Sequence, residues 1–207
     1  MTARIGVVAD THCPEFLDEL PPSLFELLKG VDLILHAGDV GGPETLAALA
    51  QLAPVQAVHG DHDQNLPELP TTLQIEVEGR RIGVIHGNRS HLIEEPVTFL
   101  GTVTLGHVWP VVGLDAWLVK RLPDADVIVH GHTHAPAARR HGSTLIFNPG
   151  AVYQVDREAA LRRLRRHPGW FEWSWLQVAQ HRRRVPAPTV GILEIRGGEV
   201  NPTVLPL

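Results

Sequence analysis

Six short apolar runs in this chain each end in a cluster built from glycine, aspartate, asparagine or histidine, and that repetition restricts the fold more than any other feature. Arg4 to Ala9 runs into Asp10-Thr11-His12, Asp32 to Leu35 into His36-Ala37-Gly38-Asp39, and Val55 to Val58 into His59-Gly60-Asp61-His62-Asp63. Arg81 to Ile85 runs into His86-Gly87-Asn88, Val127 to Val129 into His130-Gly131-His132-Thr133-His134, and Leu145 to Phe147 into Asn148-Pro149-Gly150. Continuous apolar runs of this length read as strands buried on both faces. In an α/β sheet the ends of such strands converge on one edge, where these folds place their sites.

Between the first three runs lie helix-like segments. Ser23 to Lys29 spaces Leu24, Leu27 and Leu28 at helical intervals, and Pro43 to Leu52 is rich in Ala and Leu with Pro43 in the first turn. The βαβαβ order predicts a parallel portion of sheet. Three hairpins follow: Leu73–Val77 with Arg81–Ile85, Ala137–Arg140 with Thr144–Phe147, and Ile192–Ile195 with Val200–Leu205 around Gly197-Gly198. Mixed strand directions with flanking helices predict an α/β fold, two mixed β-sheets packed as a sandwich between helices. Residues 1–207 read as one domain carrying two insertions, at about 89–121 and 156–186. These insertions hold all five tryptophans, Trp109, Trp117, Trp170, Trp173 and Trp175. The second reads as a helical hairpin, N-capped by Asp156 and broken at Pro168-Gly169.

Composition excludes several classes. With one cysteine, Cys13, neither an intrachain disulfide nor a cysteine-based zinc site can form, which fits a reducing compartment. The first apolar run is too short for a signal peptide core or a membrane span, so a cytoplasmic location without membrane attachment is expected. A formal net charge of −5 argues against general nucleic-acid binding. Arg162, Arg163, Arg165, Arg166 and Arg182–Arg184 make the second insertion basic; they read as a solvated helical face, with a cap over the site or a subunit interface as the sharper alternative. That alternative leaves room for a homo-oligomer.

The side chains able to ligate metal at strand ends are Asp10, His12, Asp39, Asp61, His86, His132 and His134. Any one of these histidines alone would be an ordinary core or surface residue. Three carboxylates and four imidazoles together exceed the needs of one ion and suit two divalent ions sharing a carboxylate, about 3.5–4 Å apart. Mixed His/Asp ligation suits Mn, Fe, Co, Ni or Zn better than Mg or Ca, and two such ions, Mn first among them, are expected. Asp10 and His12, at i and i+2, are expected on one side of an extended strand end. His36, His59 and His130 read as residues that support the ligands, Cys13 as a small buried residue, and His107, His141, His167 and His181 as surface or insertion residues.

In order along the chain, Asp10-Thr-His12, Gly38-Asp39, Gly60-Asp61-His62-Asp63, His86 and Gly131-His132-Thr-His134 resemble the signature of the calcineurin-like metallophosphoesterase superfamily. Asn148-Pro-Gly150 matches a further element of its small members, the YfcE-type bacterial and archaeal phosphodiesterases. The resemblance covers roughly residues 4–88 and 124–153 plus the terminal strands. It implies a four-layer α/β/β/α fold and hydrolysis of a small phosphoester substrate, with phosphodiesters favoured. It gives one ion to Asp10, His12, Asp39 and His134 and the other to Asp39, Asp61, His86 and His132, with a hydroxide between the ions attacking phosphorus in line. His62 takes the place of the acid that protonates the leaving group. Phosphomonoester or nucleotide pyrophosphate hydrolysis is the nearest enzymatic alternative. The retromer subunit of this fold, which has lost a metal-site histidine, is the non-catalytic one. Three positions depart from the pattern: Asp61 stands for asparagine, Asn88 for the second histidine of H-G-H, and Cys13 for a glycine that is common after the first motif and could narrow the approach to the first ion.

Overall fold

The computed structural model of the chain describes residues 2–89, 96, 113–181 and 185–207. Trp109, His107, Arg182–Arg184 and most of the 89–121 insertion lie outside the described residues. The described elements are β1 (Thr2–Val8), α1 (Pro22–Leu27), β2 (Leu33–His36), α2 (Pro43–Leu49), β3 (Val55–Ala57), β4 (Thr72–Val77), β5 (Arg80–Ile85), α3 (Leu114–Arg121), β6 (Val127–Val129), β7 (Ala137–His141), β8 (Thr144–Asn148), α4 (Arg157–Leu164), α5 (Trp170–Ala179), β9 (Thr189–Arg196) and β10 (Glu199–Pro206).

The strands form two five-stranded sheets, ordered β10-β9-β1-β2-β3 and β4-β5-β6-β8-β7. In the first, β1 pairs in parallel with β2 and β2 with β3, while β9 runs antiparallel to β1 and β10. In the second, β5, β6 and β8 are parallel and the outer strands β4 and β7 antiparallel. Both sheets are mixed, as expected, and the three hairpins are present. Asp156 caps α4, its carboxylate accepting a bond from the Ala159 N–H at 2.7 Å.

Burial on both faces follows strand alternation. Ile5, Val7 and Leu35 of the first sheet meet Ile82, Val84, Val127, Val129, Leu145 and Phe147 of the second in one core between the sheets. The alternate residues face outward. Val8 and Ile34 pack under Leu24 of α1 and Leu49 of α2, while Ile128 and Ile146 pack under Leu114 and Leu118 of α3. Helix, sheet, sheet and helix therefore stack in four layers. Phe147 is fully buried and its ring fills the space beside Gly191, where a Cβ would stand 2.6 Å from it. Truncating such a side chain to alanine costs about 3–5 kcal/mol. The α4–α5 hairpin adds a satellite cluster of Tyr153, Val155, Ala160 and Leu176, against which Phe16 and Trp175 pack.

Candidate metal centre

The parallel strands β1, β2, β3, β5 and β6 all deliver their C-terminal ends to the same rim, and the loops that follow carry the seven candidate ligands. Asp10, His12, Asp39 and His86 are buried, His132 and His134 half-buried, and Asp61 exposed. The structure brings all seven together, in three interlocking groups: Asp10, His12 and His134; Asp10, Asp39 and His86; and Asp61, His86 and His132. His62 joins His12 and Glu15 in a fourth.

The expected extended geometry of the first motif is corrected. β1 ends at Val8, and Asp10 and His12 both have left-handed backbone, with φ of 52° and 47°. Asp39, His132 and His134 do the same at 55°, 65° and 53°. Such φ values are uncommon for residues with a Cβ and cluster where surrounding structure imposes them. Here each turn bends the chain back over the sheet end, so that the side chain meets its neighbours across the rim instead of following the strand.

Packing and hydrogen bonds hold those turns. Asp63 is fully buried; its Oδ1 accepts from Val40 N at 2.8 Å and Gly41 N at 3.1 Å, and its Oδ2 from Gly60 N at 2.9 Å, tying the Asp39 loop to the Asp61 loop. Asn148 donates through Nδ2 to Gly131 O at 2.9 Å and Thr133 Oγ1 at 3.1 Å, while its Oδ1 accepts from Gly150 N at 2.8 Å. The His132 N–H donates to the Asp10 carboxylate at 3.1 Å, and the His62 N–H to Asp39 Oδ1 at 2.9 Å. Close approach explains two glycines: a Cβ on Gly60 would collide with the backbone N and carboxylate of Asp39, and one on Gly131 would lie 2.8 Å from Asp10 Oδ2.

Imidazole nitrogens face carboxylate oxygens without bonding them. His12 Nε2 and His86 Nε2 both stand 3.4 Å from the same oxygen, Asp39 Oδ2. His132 Nδ1 is 3.5 Å from Asp61 Oδ2, and His134 Nε2 is 3.5 Å from Asp10 Oδ1. These separations are long for charge-assisted hydrogen bonds. They match two ligand atoms on the edge of one coordination sphere, roughly 3.0–3.5 Å apart for bonds of about 2.1 Å. His86 donates Nδ1–H to Ala37 O at 2.8 Å, which leaves Nε2 as the nitrogen facing the carboxylates, buried and unbonded. A ligating histidine is oriented in this way, its other nitrogen fixed by a carbonyl or carboxylate. The residues present therefore fit divalent metal.

The charges point the same way. Burial raises the Asp10 carboxyl to about 6 even though His86 opposes it. Burial works against the Asp39 anion, but His86 and His12 overcome it and hold the carboxyl well below its ordinary value. Burial disfavours protonated His86, yet Asp39, Asp10 and Asp61 drive its basicity well above the ordinary imidazole range. The carboxylates thus draw positive charge to the rim. Burial depresses His134 strongly and lowers His36 to about 4 and His130 to about 3, so these rings stay neutral.

Of the expected supporting histidines, His36 is buried, its Nε2 3.0 Å from Thr11 Oγ1; His130 is buried beside Asn148; and His59 is half-buried. His141, His167 and His181 are exposed. Cys13 is buried with its thiol 3.8 Å from Asp18 O, and the Thr45 hydroxyl donates to its carbonyl. Sequence reasoning missed Glu15, Phe16 and Tyr153, which surround His12 and His62. Glu15 Oε1 is 3.1 Å from His62 Nδ1; burial works against its anion, but the two histidines lower its carboxyl to about 2. The basic cluster also departs from a uniformly solvated face. Arg162, Arg165 and Arg166 are exposed, but Arg163 is buried, bonded to Glu172 at 2.8 Å and stacked over Phe16 at 3.8 Å.

Beside the rim lies a cleft of about 370 Å³ lined by Glu15, Gly41, Asp61, His62, Gln64 and Asn65. A second cleft, of about 440 Å³ between Arg80, Arg140 and Val200, lies away from these groups. Among the described residues no helix is long and apolar enough to cross a membrane.

Comparison with known proteins agrees with this geometry. The calcineurin-like phosphoesterase superfamily domain matches residues 3–163. A probable metallophosphoesterase of Methanothermobacter thermautotrophicus is 36% identical over 148 residues, covering 71% of this chain and 76% of that protein. One from Methanocaldococcus jannaschii is 36% identical over 152 residues, covering 72% and 68%. In fold the chain is similar to wild-type Vps29 of Entamoeba histolytica, solved in complex with Zn²⁺, with a TM-score of 0.63, 21% identity and 98% of each chain covered.

Proposed function

The chain belongs to the calcineurin-like phosphoesterase superfamily, and from that premise we propose that it is a metal-dependent phosphodiesterase. Two ions would be held, one by Asp10, His12, Asp39 and His134 and the other by Asp39, Asp61, His86 and His132. The observation that carries this reading is the placement of Asp39 Oδ2, 3.4 Å from both His12 Nε2 and His86 Nε2. With one oxygen faced by two ring nitrogens, Asp39 is the carboxylate that two ions would share. Divalent ions so held would neutralise phosphate charge and acidify water. The mixed imidazole and carboxylate donors suit Mn, Fe, Co, Ni or Zn better than Mg or Ca, and of these we take Mn²⁺ as the ion to test first.

The chain's own residues account for the rest. The carboxylates of Asp10, Asp39 and Asp61 set −3 against the +4 of two divalent ions, one unit less positive than asparagine at 61 would leave. That lowers the attraction for a dianionic monoester relative to a monoanionic diester, hence the preference for diesters. His62 lines the cleft beside Asp61 and is the group placed to protonate a departing oxygen. The interior side of the rim excludes water, since Asp10, His12, Asp39 and His86 are buried. We read the whole chain as one such domain acting in the cytoplasm on a small phosphoester.

Elemental analysis of the purified protein, followed by rates on bis-p-nitrophenyl phosphate and p-nitrophenyl phosphate with added Mn²⁺, tests this. Bound transition metal and faster diester cleavage are expected. Protein that retains no transition metal and cleaves no phosphate ester would instead favour the interaction-scaffold alternative.

A further inference from the structure

Glu15 belongs to none of the motifs, yet its carboxylate touches two of the imidazoles that matter. Oε1 is 3.1 Å from His62 Nδ1, and Oε2 is 3.5 Å from His12 Nδ1, a buried nitrogen that makes no hydrogen bond. On their far sides the same two residues meet Asp39: His12 through Nε2, 3.4 Å from Oδ2, and His62 through its backbone N–H, 2.9 Å from Oδ1. Glu15, His12, Asp39 and His62 thus close a ring. The His12 and His62 rings meet edge-on at 4.8 Å, and Phe16 packs against both, at 5.3 Å and 5.5 Å. The Arg163 guanidinium lies over Phe16 at 3.8 Å, so the α4–α5 hairpin backs the residue next to Glu15.

We infer that Glu15 is a positioning residue that orients His12 towards the metal centre and His62 towards the leaving group with one carboxylate. The inference rests on the hydrolase reading above. By accepting from Nδ1 of His62, Glu15 leaves Nε2 as the nitrogen available to the cleft. As the P–O bond to the leaving group breaks, its electron pair stays on oxygen and takes the Nε2 proton. Water supplies the new P–O bond and releases its proton to solvent. His62 is left neutral, with Nδ1–H still on Glu15. At 3.5 Å from His12 Nδ1, the Glu15 carboxylate favours by its charge the tautomer protonated on that nitrogen, whose Nε2 lone pair faces Asp39, and carboxylates that orient a ligating imidazole typically change metal affinity 10–100-fold.

The test uses the full chain, wild type and E15A, with E15Q as the conservative variant. Methyl phenyl phosphate and methyl p-nitrophenyl phosphate differ only in how much the departing oxygen needs a proton. E15A is expected to lose at least about tenfold more kcat on the phenyl ester than on the nitrophenyl ester, within the range that general acids contribute. E15Q, which keeps an acceptor for one imidazole, should lie between. Calorimetric titration of metal-free protein with Mn²⁺ should show binding about 10–100-fold weaker in E15A. Equal losses on both esters, or unchanged Mn²⁺ affinity, overturn the inference. A wild type that binds Mn²⁺ but cleaves neither ester refutes the hydrolase reading and the His62 half of the pairing with it, while the titration still decides the His12 half.

Discussion

Replacing Asp63 by asparagine should loosen the metal centre without touching a ligand. Asp63 is fully buried, and its carboxylate receives three main-chain N–H groups: Val40 at 2.8 Å, Gly41 at 3.1 Å and Gly60 at 2.9 Å. An asparagine can keep its oxygen on Val40 and Gly41 only by turning its NH₂ towards the Gly60 N–H, donor against donor. The exchange removes one charge-assisted bond, worth roughly 1.5–3 kcal/mol, and strands a buried N–H at roughly 1–3 kcal/mol. A total of about 2.5–6 kcal/mol corresponds to a fall in Tm of roughly 5–24 °C for a chain of this size. Circular dichroism melts of metal-free D63N against wild type read that shift. Because Val40 follows Asp39 and Gly60 precedes Asp61, the freed loops also separate two proposed ligands, and weaker Mn²⁺ retention by elemental analysis should accompany the lower Tm. A melt within about 3 °C of wild type with undiminished metal would refute the idea that Asp63 is what ties the two loops.

Other outcomes can be checked as directly. D61N should raise the rate on monoesters relative to diesters by roughly tenfold, the effect of one charge at several ångströms in a medium of high effective dielectric; an unchanged ratio of p-nitrophenyl phosphate to bis-p-nitrophenyl phosphate turnover would refute the charge argument. G60A puts a methyl against the Asp39 backbone and carboxylate, so the purified variant should carry less metal than wild type by elemental analysis while keeping its far-ultraviolet spectrum. Asp115 is held below the ordinary carboxylate range, first by its bond to Arg139 on the edge strand β7. A depressed folded-state pKa adds stability above the ordinary carboxylate range that is lost as pH falls through the lowered value. D115N should therefore destabilise the protein at neutral pH and melt closer to wild type in acid; a gap that widened as pH fell would reverse the assignment.

Much of this architecture was readable before any coordinates. Runs such as Val127–Val129 are uniformly apolar because both faces of the strand are covered, and the groups that end them are polar because they meet one another at the rim, where Asp10, His12, Asp39 and His86 are buried. Hairpins were visible where glycine sat between alternating segments. What stayed hidden depends on contacts between distant parts of the chain. Left-handed φ at Asp10 and His12 cannot be anticipated from residues that ordinarily avoid it, since only the packed rim imposes it. Glu15 looks like any surface glutamate until the loop after Asp61 brings His62 beside it. Arg163 reads as one of four exposed arginines because nothing local says that Phe16, Trp175 and Glu172 will enclose it.

The left-handed turns under Asp10, His12, Asp39, His132 and His134 have a bearing on how such a chain can change. Each holds a side-chain-bearing residue where glycine would sit at lower conformational cost. Packing and hydrogen bonds impose that cost, and ligation, as proposed, would reward it. A descendant relieved of its chemistry would be free to relax these five loops one at a time and become sturdier as it fell silent. On the proposed function, the aspartates and histidines on those turns mark where ease of folding gives way to the binding of metal.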